Sequence, residues 1–121
     1  MASGDLALVL HAHLPYVRSG EPGSLEEDWY FQALQECYLP LVQVLEDTAA
    51  DPTAQPRLTL GLSPTLLALL SDAELNRRFL PWLEQRCELL AEADPHFAAA
   101  ATDLEGQLQA AADQFRACGG N

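Results

Sequence analysis

The 121-residue sequence contains no lysine, and its six basic residues are all arginine. Against them stand 18 acidic residues, giving a formal net charge of −12. Such a surface repels phosphate backbones and anionic headgroups, so neither nucleic acid nor a membrane surface is the expected partner. Neutral ligands such as sugars, and cationic ones, stay open. Cysteine is scarce as well: Cys37, Cys87 and Cys118 make an odd count with no C-x-x-C pair. That argues against a disulfide framework or a zinc knuckle, and each thiol falls in a helix-like stretch, where it reads as a small core or surface residue. No run reaches the roughly 18 apolar residues of a spanning helix. The first residues show no basic region followed by an apolar run and a cleavage site. The expected setting is cytoplasmic and reducing.

What is present suits a folded chain. Hydrophobic residues make up 49% and charged ones 20%, enough for one small domain and unlike a disordered composition. Leu6-Ala7-Leu8-Val9-Leu10 is continuously apolar and stops abruptly at His11. This predicts a strand from Leu6 to His13, buried on both faces as in a parallel sheet. Ser19, Gly20, Pro22 and Gly23 mark a loop. From Asp28 to Thr48 apolar residues recur at helical spacing, with Asp28 or a neighbouring acid as cap and a kink or break expected at Pro40. Arg57 to Leu62 alternates as a second strand. Ser63-Pro64 then starts a helix. Ser71-Asp72-Ala73-Glu74 reads as a capping box for a helix to about Glu92, with a second kink at Pro81. Asp94-Pro95 opens the last helix, which Gly119-Gly120 ends near Ala117. The expected class is α/β, with two parallel strands and several helices. Two such strands leave unpaired edges, so the pattern reads as the start of a larger sheet or barrel.

The residues with chemistry gather at the end of the first strand, in His11-Ala12-His13-Leu14-Pro15-Tyr16. Functional groups of α/β folds sit at the carboxyl ends of strands. Residues two apart on an extended chain share a face, so His11 and His13 point the same way. From spacing alone, three readings stay open: contacts to sugar hydroxyls, a divalent metal, or a structural role beside a turn. A metal-dependent hydrolase would need further ligands, and only His96 remains among the histidines. Tyr16 either offers its hydroxyl to a ligand or covers the strand end. Trp29 either stacks on a sugar ring or packs on its own core. Glu26, Glu27 and Asp28 read as a solvated acidic helix start favoured by the dipole. Glu36 reads as a solvated face or a support to the site, and Ser63 as a helix cap.

Longer blocks carry a resemblance. Leu8-Val9-Leu10-His11-Ala12-His13-Leu14-Pro15-Tyr16-Val17-Arg18 resembles the first signature region of glycoside hydrolase family 57. Leu25-Glu26-Glu27-Asp28-Trp29, Gln35-Glu36-Cys37-Tyr38-Leu39-Pro40-Leu41 and Arg57-Leu58-Thr59-Leu60-Gly61-Leu62-Ser63-Pro64-Thr65-Leu66-Leu67 are similar to the segments that follow it in that family. Within the family the combination is most like the 1,4-α-glucan branching enzymes. The resemblance implies that residues 1–121 are a partial N-terminal portion of a (β/α)7 barrel of the glycoside hydrolase/deacetylase type, acting on α-1,4-glucan with retention of configuration. Retention needs two carboxyl groups about 5 Å apart. In the family these are a Glu and an Asp of later signature regions, which have no counterpart here, so the chain is expected to be inactive alone, with no catalytic residue of its own. The resemblance implies no catalytic metal and no cofactor. It casts His11 and His13 as glucan-contacting residues, with Tyr16 and Trp29 beside them. The alternative expectation is a stand-alone sugar-binding or assembly module that completes its sheet by self-association or with a partner chain.

Overall fold

A computed structural model describes residues 7–18, 21–53, 57–92 and 94–120. Strand β1 (Leu8–Ala12) pairs in parallel with β2 (Leu58–Leu62), in the register Leu8 to Leu58 through Ala12 to Leu62. Between them run α1 (Leu25–Ala33), a π-helical turn (Leu34–Tyr38) and α2 (Leu39–Ala50). After β2 come α3 (Pro64–Leu70), α4 (Ala73–Asn76), α5 (Phe79–Ala91), a 3₁₀ turn (Pro95–Phe97) and α6 (Ala98–Ala117). The α/β class with two parallel strands and several helices is thus observed. Leu6, where the first strand was expected to begin, lies outside the described residues, as do Ser19 and Gly20 of the expected loop. His13, the expected end of that strand, directly follows β1.

Several helix boundaries differ from the sequence expectation, each for a local reason. The first helix begins at Leu25, because Ser24 caps it: Ser24 Oγ accepts the Glu27 N–H. The helix expected to kink or break at Pro40 is interrupted by a π-helical turn just before it. That turn widens the helix, with the Leu39 N–H reaching back to Leu34 O, and Pro40 falls in the first turn of α2 that follows. The predicted helix from Ser71 is interrupted at Arg77-Arg78. Asp72, not Ser71, is the cap, its Oδ1 accepting from the Glu74 and Leu75 amides, while Ser71 closes α3. The interruption falls just before Pro81, which lies in the first turn of α5. The end of α6 follows the expectation: Gly119 takes φ +82° and the Gly120 N–H reaches Phe115 O at 3.0 Å, a Schellman closure.

The core lies among the helices. Tyr30 and Phe31 of α1 meet Phe79 and Trp82 of α5 and Phe115 of α6, with ring centroids 4.8 to 6.1 Å apart along the cluster. The sheet is far less covered. Val9 is 70% exposed and Leu8 is also exposed, so β1 is not buried on both faces as its apolar run predicted. Among the described residues β1 has one paired neighbour, the face bearing Ala12, Leu60 and Leu62 turns toward helices, and even there an apolar cavity of about 730 Å³ separates it from α2, α3 and the end of α6.

Candidate functional site

Strand alternation distributes the side chains of β1. Leu10 and Ala12 take the helix-facing side; Val9 and His11 take the other, with His13 continuing it. The His11 and His13 rings stack nearly parallel, 10° apart in plane with centroids separated by 6.1 Å. Both are exposed. Register puts Gly61 opposite His11, and a β-carbon there would stand 3.3 Å from His11 Nδ1. A glycine on β2 therefore leaves room for the first ring. Two neutral imidazoles on one open face offer two donors and two acceptors to a polar ligand.

The turn after β2 holds the histidine segment. The Ser63 N–H donates to Ala12 O at 3.0 Å, one step beyond the strand ladder. Thr65 Oγ1 donates to Leu14 O at 2.8 Å. Ser63 Oγ also accepts the Leu66 N–H, so its expected role as a helix cap is observed. Farther along, Val17 is buried, and Arg18 forms ion pairs with Asp72 and Glu74, the latter at 2.7 Å. The Arg18 hydrogen bond and charge hold the Glu74 carboxyl below its ordinary range. Tyr16, between these anchors, is 61% exposed.

Trp29 is 48% exposed on α1 and stands out from the core that its neighbour Tyr30 enters. The structure brings His11 and His13 together and leaves the Tyr16 and Trp29 rings free to meet a ligand; it shows no direct contact of either with the histidines among the described residues. The acidic run is not a solvated helix start. Only Glu26 is exposed there. Glu27 is buried, with Oε1 accepting from Arg78 Nε at 2.6 Å and Oε2 from the Gly23 N–H. Asp28 accepts from Trp82 Nε1 and from Arg86 at 2.6 Å, and Arg86 lies over the Trp82 ring. Partners more than fifty residues away override the local expectation of solvation. Glu36 is exposed on the π-helical turn. Gly61 and Thr65 were missed as site residues. The alternation of β2 and its parallel register with β1 held the signal for Gly61, while nothing in the spacing pointed Thr65 at Leu14.

A metal would need more donors than the histidine pair supplies. Among the described residues no three His, Cys, Asp or Glu side chains come together. Among those residues, too, no helix is long and apolar enough to cross a membrane.

No protein-family model matches the chain. It is 30% identical over 89 residues to the 1,4-alpha-glucan branching enzyme TK1436 of Thermococcus kodakarensis, covering 74% of this chain and 13% of that protein. It is 39% identical over 80 residues to the probable 1,4-alpha-glucan branching enzyme MT3115 of Mycobacterium tuberculosis, covering 66% of this chain and 15% of that one. The chain thus spans about a seventh of the length of these curated relatives. In structure, 95% of it superposes on the GH57-type branching enzyme of Pyrococcus horikoshii, with a TM-score of 0.83 and 27% identity, over 22% of that chain. The alpha-amylase AmyC of Thermotoga maritima gives 0.79 and 28%, over 23% of its chain. In sequence and in fold together this chain is similar to a segment of glycoside hydrolase family 57 proteins, with likeness to their 1,4-alpha-glucan branching enzymes in both.

Proposed function

We propose that the chain supplies the first strand and a glucan-facing subsite of an α-glucan-acting (β/α)7 barrel, in a 1,4-alpha-glucan branching enzyme that transfers glycosyl groups with retention. The observation that carries this reading is the pair of parallel imidazoles on the open face at the carboxyl end of β1. In this role His11 and His13 hydrogen-bond sugar hydroxyls, each ring offering one donor and one acceptor. Tyr16 and Trp29 present exposed aromatic surface to the same polysaccharide. The chemistry needs a nucleophile and an acid/base carboxyl about 5 Å apart. Four acidic side chains have other tasks: Glu27 and Asp28 bind Arg78 and Arg86, and Asp72 and Glu74 bind Arg18. The resemblance places the reacting carboxyls in later signature regions of the family, so in this reading the chain binds without turning over. Amylose incubated with the pure chain should gain no branches and release no reducing ends, while the chain should be retarded on amylose-containing native gels. New branch points or reducing ends would overturn the division of labour, and unretarded migration would overturn the binding role.

A second reading is supported by the exposed Val9 and Leu8 and by the two open strand edges: an assembly module that completes its sheet with a second copy or a partner chain. Light scattering decides it, since a compact monomer at all concentrations counts against self-association.

A further inference from the structure

The segment that carries His13 leaves the sheet, yet the carbonyls on both sides of this residue are held. Ala12 O receives the Ser63 N–H and Leu14 O receives the Thr65 hydroxyl. The proton directions in this cluster can be assigned. Thr65 has one hydroxyl proton, and it goes to Leu14 O at 2.8 Å. In the 3.1 Å contact between the two hydroxyls, Ser63 is then the donor and Thr65 the acceptor. Ser63 Oγ in turn accepts the Leu66 N–H at 3.2 Å. One directed chain thus runs from the first turn of α3 through Ser63 and Thr65 to the backbone next to His13, and each bond polarises the next. The Thr65 side chain is part-buried, while the His13 ring it serves is exposed.

We infer that Thr65 is a positioning residue: its hydroxyl fixes the Leu14 carbonyl and so aims the His13 ring parallel to His11. The inference rests on the reading of the histidine pair as a glucan contact, but its geometry can be tested separately. Thr65→Val keeps the shape and removes the hydroxyl; Thr65→Ser keeps the hydroxyl and removes the methyl.

Nuclear magnetic resonance of the full 121-residue chain supplies the test, with the core signals of Phe79 and Trp82 reporting that each variant is folded. In the unmutated chain, cross-peaks between the His11 and His13 rings are expected. Thr65→Val should abolish or broaden them and weaken maltoheptaose binding by about three- to tenfold; Thr65→Ser should restore both. Unchanged ring cross-peaks in Thr65→Val, or their loss in Thr65→Ser, would overturn the inference. Should Thr65→Val not fold, the unmutated chain decides: a slowly exchanging Thr65 hydroxyl proton coupled to Leu14 supports the inference, and a rapidly exchanging one overturns it. Ring effects without any maltoheptaose binding would reject the glucan reading and keep the positioning role. Equal maltoheptaose affinity in Thr65→Val and the unmutated chain would reject the positioning role and keep the glucan reading.

Discussion

Arg78 donates from Nε to Glu27 Oε1 at 2.6 Å, joining the start of α5 to the first turn of α1, and Glu27 is only 4% exposed. Removing the arginine strands a buried carboxylate with the Gly23 amide as its remaining strong donor. Arg78→Ala should therefore cost up to about 3 kcal/mol, the lower end for a broken buried pair because Arg78 itself is partly exposed. Urea unfolding reads this directly. A loss below about 0.5 kcal/mol, the scale of an ordinary surface change, would show that the pair does not hold these helices together.

Tyr30 ties α1 to α4, its hydroxyl donating to Asn76 Oδ1 at 2.6 Å while Asn76 Nδ2 donates to Leu70 O at 2.9 Å. Tyr30→Phe should cost about 1–3 kcal/mol by leaving the Asn76 oxygen without this donor. Burial first, then the nearby Tyr38, pushes the Tyr30 hydroxyl far above its ordinary 10.0. The folded state thus keeps the proton, so this contribution is complete below pH 10.0 and is lost as pH rises beyond it. Ultraviolet titration should show Tyr30 ionising only together with unfolding. A Tyr30 phenolate in the folded chain near its ordinary value would contradict the buried hydrogen bond.

The clasp between Arg18 and Glu74 has the opposite pH behaviour. Its hydrogen bond lowers the Glu74 carboxyl from 4.5, so the clasp is intact above that value and opens as pH falls through the lower, folded one. Carboxyl carbon shifts should place the Glu74 midpoint below 4.5, and Arg18→Gln should move it back up. No movement in the variant would mean that Arg18 does not hold the loop in solution.

Thiol reactivity should separate the three cysteines. Cys37 and Cys118 are exposed, whereas Cys87 packs against the core and its thiol is pushed up by burial first and then by Glu105 and Glu84. Thiolates are the reactive form, so iodoacetamide followed by mass spectrometry should find Cys87 modified last. Modification of Cys87 before the other two would contradict its packing.

Much of this fold was legible because it rests on local chemistry. The β2 strand, the Ser63-Pro64 start and the Gly119-Gly120 stop are each decided within a few residues, and each was observed. The errors arose where a distant partner decides. Glu27 and Asp28 looked like a solvated helix start until Arg78 and Arg86 met them across the fold. The interruption expected at Pro40 takes the form of a π-helical turn just before it, a form that has no strong sequence mark. The apolar run of β1 correctly signalled a strand, but burial depends on how many neighbours the strand has, and among the described residues it has one. At the site, the shared face of His11 and His13 followed from period-two geometry, while Gly61 opposite and Thr65 behind depend on register and on a cap.

The central claim is that the face bearing His11 and His13 contacts α-glucan. A titration of the labelled 121-residue chain with maltoheptaose, followed residue by residue, tests it most directly. The account predicts saturable shifts centred on His11, His13 and Gly61, extending to Tyr16 or Trp29, and their loss in His11→Ala and His13→Ala variants that keep the Phe79 and Trp82 core signals. Shifts confined to the apolar cavity beside Leu60 and Leu62, or no saturable shift at the histidines, would contradict it.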